Sequence, residues 1–252
     1  MNLPFIDANG DMDHALQTEI QQYMISKFPH EACGLIVDGA FVPIENIHPD
    51  PALHFEMPGE TLALYPNAQA AIHSHTNGRI EPTIADMESQ ISCGLPFGLM
   101  TCNEEAATKI YLWGDQLTPP PLIGRQFRSG PSGTDNKGDC YAIIRDYYRL
   151  EKNIMLAEFP RDFKWWSNPD ANDKNMYLEG FAKAGFVEIS QSEIEPGDVI
   201  LMRVASPTKQ PNHGAVYIGN NQILHHVQDR LSRRDLVNSF LKMSTHYLRY
   251  NG

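Results

Sequence analysis

Several things are scarce in this chain. Four cysteines, Cys33, Cys93, Cys102 and Cys140, are scattered over 252 residues without a Cys-x-x-Cys pair. That excludes a disulfide framework and a finger-type structural zinc site. No window approaches the about 18 uninterrupted apolar residues that a membrane-spanning helix needs. The opening MNLPFIDANGDMDH lacks a basic n-region and an apolar h-region, so no secretory signal peptide is expected. Basic residues are nearly missing from the first half. Up to Trp113 there are three (Lys27, Arg79 and Lys109) against 15 acidic, a net charge of −12. From Gly114 on there are 17 basic and 16 acidic residues, a net of +1. Phosphate contact needs clustered Lys and Arg, so nucleic-acid binding is excluded. The step in charge also marks a boundary.

What is present suits a folded protein. Hydrophobic residues make up 42% and charged residues 20% of the chain. Such a composition buries a core, and this length gives room for one large domain or two small ones. HALQTEIQQYMISKF reads as a helix with Leu16, Ile20, Tyr23 and Met24 on one face, ended by Pro29. ACGLIVDG, Ala40 to Ile44 and NAQAAIHSH read as strands, PTIADMESQISCG as a helix, and FGLMTC and TKIYLW as two further strands. This alternation predicts an α/β domain over residues 1–113. Residues 114–137 hold three consecutive prolines, Pro119 to Pro121, and many glycines, a linker composition. Beyond it DCYAIIRDYYRLE is an amphipathic helix, with a second helix from about Asn175 to Ala184. GDVILMRV, NHGAVYIG and QILHHV then read as strands, giving an α+β domain over 138–252.

His73 and His75 lie two apart in a predicted strand, so both imidazoles share a face. A catalytic zinc takes imidazole and carboxylate ligands and keeps one position for water. Asp86, on the next helix, can complete such a set, and Glu31 can act as base for the water. Ten histidines in a chain of this length give about 0.4 His-x-His pairs by chance, so the pair alone says little. Thr83 and Asp86 also form T-x-x-D, a helix-capping arrangement with no catalytic meaning. The longer pattern is more specific. HEACGL at 30–35 followed by HSHTNGRIEPTIAD at 73–86 resembles the JAMM (Mov34/MPN) metalloprotease signature. The resemblance implies Zn2+ held by His73, His75 and Asp86, Glu31 as general acid/base, and Thr83 in place of the Ser that helps hold the oxyanion.

Cys140 opens the predicted helix DCYAIIRDYY, where free N–H groups and the dipole favour a thiolate. A nucleophilic cysteine also needs a base and a group to orient that base. His213 starts one strand and His225 and His226 end the next, across a Gly-Asn-Asn turn. Adjacent histidines point to opposite faces: a two-residue turn would bring His226 round to His213, a three-residue turn His225. DC at 139–140, PGDVI at 196–200 and HGAVYIGNNQILHH at 213–226 resemble the NlpC/P60 cysteine peptidases, which have a papain-like core and cut peptide stems of bacterial cell walls. The resemblance implies Cys140 as nucleophile, His213 as base and His225 as the third polar residue. The residues after the nucleophile, Tyr141 and Ala142, depart from the small ones usual there.

A JAMM domain followed by an NlpC/P60 domain resembles phage tail-tip assembly proteins of the lambda K type, as does the stretch RLSRRD with Arg230, Arg233 and Arg234. The resemblance implies a bifunctional peptidase of a phage tail tip. It would be made in the host cytoplasm and carried out in the virion, with other tail-tip proteins and peptidoglycan stem peptides as partners. The arginine cluster is expected to contact stem carboxylates. The alternative is a structural tail-tip component whose peptidase folds serve as docking modules. Intact Glu31, His73, His75, Asp86, Cys140 and His213 weigh against it.

Overall fold

The structure is a computed structural model that describes residues 3–7, 10–162, 165 and 176–252. It forms two compact units. One comprises Met1–Pro82, Ser89–Thr118 and Gly133–Asp135; the other comprises Thr83–Glu88, Pro119–Ser132 and Asn136–Gly252.

In the first unit, with the start of α3 as far as Glu88 assigned to the second, the elements run α1 (His14–Lys27), β1 (Cys33–Val37), β2 (Ala40–Ile44), α2 (Thr61–Leu64), β3 (Ala68–His75), α3 (Ile84–Cys93), β4 (Phe97–Thr101) and β5 (Tyr111–Trp113). Asp13 caps α1 by accepting from the backbone N–H of Leu16, and Leu16, Ile20 and Met24 are its buried face. The helix buries that face with Ile36, Ile72 and Leu112. The five strands are ordered β2-β1-β3-β4-β5. β3 is the central strand, antiparallel to β1 and parallel to β4. Its last six residues, Ala70 to His75, are all buried, and that is why the sequence reads as an apolar run passing directly into histidines.

The segment expected to be a linker, 114–137, is divided between the units. Gly114–Thr118 and Gly133–Asp135 belong to the first and Pro119–Ser132 to the second. Here the second unit begins: β6 (Gln126–Phe127) pairs with β7 (Lys137–Gly138). Arg125 is wholly buried against Asp146 at 2.6 Å, its Nε donating to the Pro121 carbonyl. A buried ion pair pins this stretch where composition suggested only a spacer.

α4 (Cys140–Glu151) and α5 (Met176–Lys183) follow, then β8 (Phe186–Ile189), β9 (Val199–Met202), β10 (His213–Gly219), β11 (Gln222–His225), β12 (Arg233–Leu236) and β13 (Ser244–Tyr250). Asn175, the expected start of the second helix, lies outside the described residues. The six strands are ordered β12-β11-β10-β9-β13-β8. One face of the sheet, with Leu201, Val216 and Leu248, packs on Tyr141, Ile144 and Tyr148 of α4. The other face carries Ile200, Met202, Ala215 and Ile223. Gly214 sets how closely β10 can approach α4: a Cβ there would lie 2.8 Å from Cδ1 of the buried Ile144. Gly214→Ala is therefore expected to lower stability by about 1–3 kcal/mol through overpacking. Urea unfolding of the two proteins measures the loss.

Candidate active site

Asp139 caps α4 by accepting from the backbone N–H of Ala142 at 2.9 Å, which places Cys140 in the first turn. The thiol is buried, and its sulfur lies 3.0 Å from the hydroxyl of Tyr177 on α5. Cys140, Tyr177, His213, His226, Asn212 and Asp139 border one cavity of about 280 Å³. The nucleophile and base named from the sequence therefore open onto the same space.

Which of His225 and His226 faces His213 follows from a register shift. The hairpin turn is Asn220-Asn221, both at positive φ, a two-residue connection. Continued regularly, that turn would bring His226 onto the face of His213. The ladder instead skips a residue between Tyr217 and Gly219, so that Ala215 pairs with His225. A bulge at Ile218 thus exchanges the faces, since an extra residue on one strand inverts everything beyond it. Nε2 of His213 lies 3.0 Å from Nδ1 of His225. His226 turns the other way, its Nε2 3.1 Å from the Arg230 carbonyl.

One member of this row is not legible in the sequence pattern. Nε2 of His225 lies 3.0 Å from Oδ2 of Asp235 on β12. Arg233 donates to that same oxygen through Nε at 2.8 Å, with Nη2 at 2.7 Å. The alternation Arg-x-Asp on a strand is the available signal, but the charges of RRDL hide the strand itself. Arg233 thus spends two donors on Asp235 at the surface, and none of Arg230, Arg233 and Arg234 borders the cavity. The lining of this cavity therefore lends no support to the expected contact of these arginines with stem carboxylates.

The surroundings of Cys140 act against the expected thiolate. Burial, reinforced by the negative charge of Asp139, pushes the Cys140 thiol up to about 11 despite the hydrogen bond from Tyr177. Burial holds His213 well below the ordinary imidazole range, and the neighbouring His225 and His226 add to this. Both shifts have one cause: removal from water favours the neutral forms, and here it outweighs the helix N-terminus. Both directions favour a thiol and a neutral imidazole at rest.

In the other constellation, His73, His75 and Asp86 are buried and each offers one ligand atom, all within 4.8 Å of one another. Nδ1 of His75 is 2.9 Å from the Arg79 carbonyl, which leaves Nε2 for the common point. The backbone N–H of Thr83 donates to Oδ2 of Asp86 at 2.6 Å, and that of Asp86 donates to the Thr83 hydroxyl at 3.1 Å. The capping arrangement is therefore real. It occupies one carboxylate oxygen and orients the other. Glu31 is buried just ahead of β1, next to Ala32, whose carbonyl accepts from the backbone N–H of Ser74, the residue between the two histidines. It stands at the end of the sheet where β3 presents His75, outside the three-residue group.

Residues 110–250 match the NlpC/P60 family. The chain is 32% identical to tail tip assembly protein K of Escherichia phage lambda over 200 residues, 79% of this chain and 86% of that one. It is 26% identical to tail tip assembly protein K of Escherichia phage N15, over 85% of each chain. Among solved structures, an NLP/P60 family protein similar to a lipoprotein from Staphylococcus aureus overlaps 51% of this chain and 37% of its own at 16% identity, with a TM-score of 0.37. No described helix is long and apolar enough to cross a membrane. With more than half its length matched to one family, and 32% identity to a relative across most of both chains, the protein belongs to the NlpC/P60 family and to the relatives of phage tail tip assembly protein K.

Proposed function

We propose that this chain is a phage tail-tip peptidase that hydrolyses an amide in the peptide stem of bacterial peptidoglycan, acting in tail assembly or wall penetration. The observation that carries the reading is the alignment of His213 and His225 on one face of the sheet, beside the cavity that Cys140 opens onto. A docking module has no use for a buried imidazole pair beside a cysteine in the first turn of a helix on the same cavity. In the reaction, Sγ of Cys140 attacks the acyl carbon while His213 takes the thiol proton. The proton then passes to the departing amine nitrogen, leaving a thioester that water hydrolyses. Because thiol and imidazole are both neutral at rest, the proton moves during the attack rather than before it. The substrate class is supported by the family membership, and the tail-tip setting by the two phage relatives. Full-length protein incubated with purified sacculi is expected to release stem-peptide fragments, and Cys140→Ala is expected to release none. Untouched sacculi together with a Cys140-dependent cut in a tail protein would make it a maturation protease instead.

We also propose that His73, His75 and Asp86 hold one zinc ion per chain. Two imidazoles and a carboxylate form a catalytic zinc donor set, and the His75–Arg79 and Asp86–Thr83 hydrogen bonds fix its members from outside. Bound there, zinc would polarise a carbonyl and acidify a water, with Glu31 as the proton acceptor and the Thr83 hydroxyl as a donor to the oxyanion. Metal analysis is expected to find one zinc per chain in the native protein and in Glu31→Gln. The double variant His73→Ala/His75→Ala should contain none, and stoichiometric zinc remaining in it would refute the site.

A further inference from the structure

His213 on β10, His225 on β11 and Asp235 on β12 form a continuous polar row across three adjacent strands of the second unit. Ala215 pairs with His225, Ile223 with Asp235 and His225 with Arg233, so all their side chains lie on one face, the one turned away from α4. His213 heads its strand and so also reaches the cavity where Cys140 lies.

We propose that Asp235, clamped by Arg233, is a positioning residue of this row: it sets the tautomer of His225 and thereby leaves Nδ1 of His213 as the nitrogen that takes the Cys140 proton. This rests on the Cys140–His213 reading above. An ionised carboxylate only accepts hydrogen bonds, so Nε2 of His225 must carry the hydrogen that points to Oδ2. Nδ1 of a neutral His225 is then a lone pair, and it must receive the hydrogen on Nε2 of His213. What remains on His213 is an unprotonated Nδ1. The opposite tautomer of either ring would set lone pair against lone pair somewhere in the row.

The surroundings keep the rings neutral and still. Burial lowers the affinity of both for a second proton, more in His213 than in His225, where Asp235 partly opposes it. Phe240 packs edge-on against His225 with ring centroids 4.8 Å apart. The titratable and charged groups around the row include Cys140 and Tyr177 from α4 and α5, Asp139 before α4, Arg161, Asp162 and Asp229 on the cavity, His226 after β11, Arg233 beside Asp235 on β12, and Tyr217 and Tyr247 on the same face of the sheet. Arg233 spends two donors on the oxygen that faces His225, which holds the carboxylate in place although Asp235 is a quarter exposed.

The test uses full-length protein with 15N-labelled histidine and long-range proton–nitrogen correlation spectra near neutral pH. Wild-type His213 and His225 are both expected as Nε2–H tautomers. A wild-type Nδ1–H form of either ring would overturn the proposal without any variant. In Asp235→Asn the amide can donate as well as accept, so Nδ1–H forms should appear in both rings. An Nδ1–H on His213 cannot take the Cys140 proton, so Cys140-dependent hydrolysis should fall about tenfold, in line with losing the group that orients a base. Asp235→Glu should restore the wild-type tautomers. Wild-type tautomers in Asp235→Asn would also overturn it. Failure of the peptidase reading is separate: sacculi and tail proteins left intact by wild-type protein would end that reading while the tautomer result stood.

Discussion

Iodoacetamide should label Cys140 about a hundredfold more slowly in the folded protein than in urea near pH 7. A thiol pushed up to about 11, from an ordinary value of 9.0, has about a hundredth of the thiolate available to a free cysteine. The labelling rate should rise about tenfold per pH unit through the alkaline range, with no plateau around pH 6. Cys93 should react first, because it alone among the four is not buried. Cys33, pushed up to about 12 chiefly by burial and then by the charge of Glu31, should be the most inert. A Cys140 labelled first, at a rate flat from pH 6 upward, would instead reveal a preformed thiolate–imidazolium pair. The same shift bears on stability. A folded-state value above the unfolded one means that the folded protein holds its proton more tightly, so this contribution is complete below pH 9. It is lost as the pH rises from there toward 11. For catalysis, a proton still on sulfur at the moment of attack predicts that acylation slows in D2O, whereas a preformed ion pair has no such proton in flight.

The sequence shows more of the site than of the framework around it. His-x-His is legible because a strand's period of two puts both rings on one face, and β3 carries them as expected. Cys140 is legible because Asp-Cys opens a strongly patterned helix. The charge state of Cys140 is not: dipole and N–H groups are local and visible in sequence, whereas burial depends on α5 and the neighbouring loops closing over the thiol. The partner of His213 lies one residue beyond what turn geometry alone can resolve. Asn220-Asn221 signals a two-residue turn, but the bulge at Ile218 has no marker residue. Asp235 requires the register of a third strand, RRDL, whose charges read as solvated loop. β8 and β13 escape for a related reason, since Phe186–Ile189 and Ser244–Tyr250 alternate without a continuous apolar face. In 114–137, proline and glycine mask Arg125, which is buried only because Asp146 waits for it on α4.

Arg161→Ala should cost about 3–5 kcal/mol of stability, a larger loss than that expected of Gly214→Ala. Arg161 is almost wholly buried, and its Nε and Nη2 meet the two carboxylate oxygens of Asp139 at 2.5 and 3.0 Å. Nη1 donates to Glu158 at 2.6 Å and to the Phe159 carbonyl at 2.9 Å. Its guanidinium also lies over the rings of Tyr141 and Phe159, at 5.1 and 5.5 Å. Truncation strips Asp139 of its counter-charge, leaves Glu158 with only Arg145 at 3.7 Å, and opens a hole between two aromatic rings. Asp139 is the N-cap of α4 and also accepts from the Gly130 N–H at 2.9 Å, so the damage falls on the residue that seats Cys140. Urea midpoints for wild type, Arg161→Ala, Arg161→Met and Asp139→Asn/Arg161→Met separate the contributions. Arg161→Met refills much of the volume but leaves the charges, so it should remain severely destabilised. Adding Asp139→Asn removes one stranded charge while an amide oxygen still caps the helix, so the double variant should recover part of the loss. If Arg161→Met alone were as stable as wild type, the pair would be dispensable for folding. The guanidinium's reason for being buried would then have to lie in the cavity it borders beside Cys140.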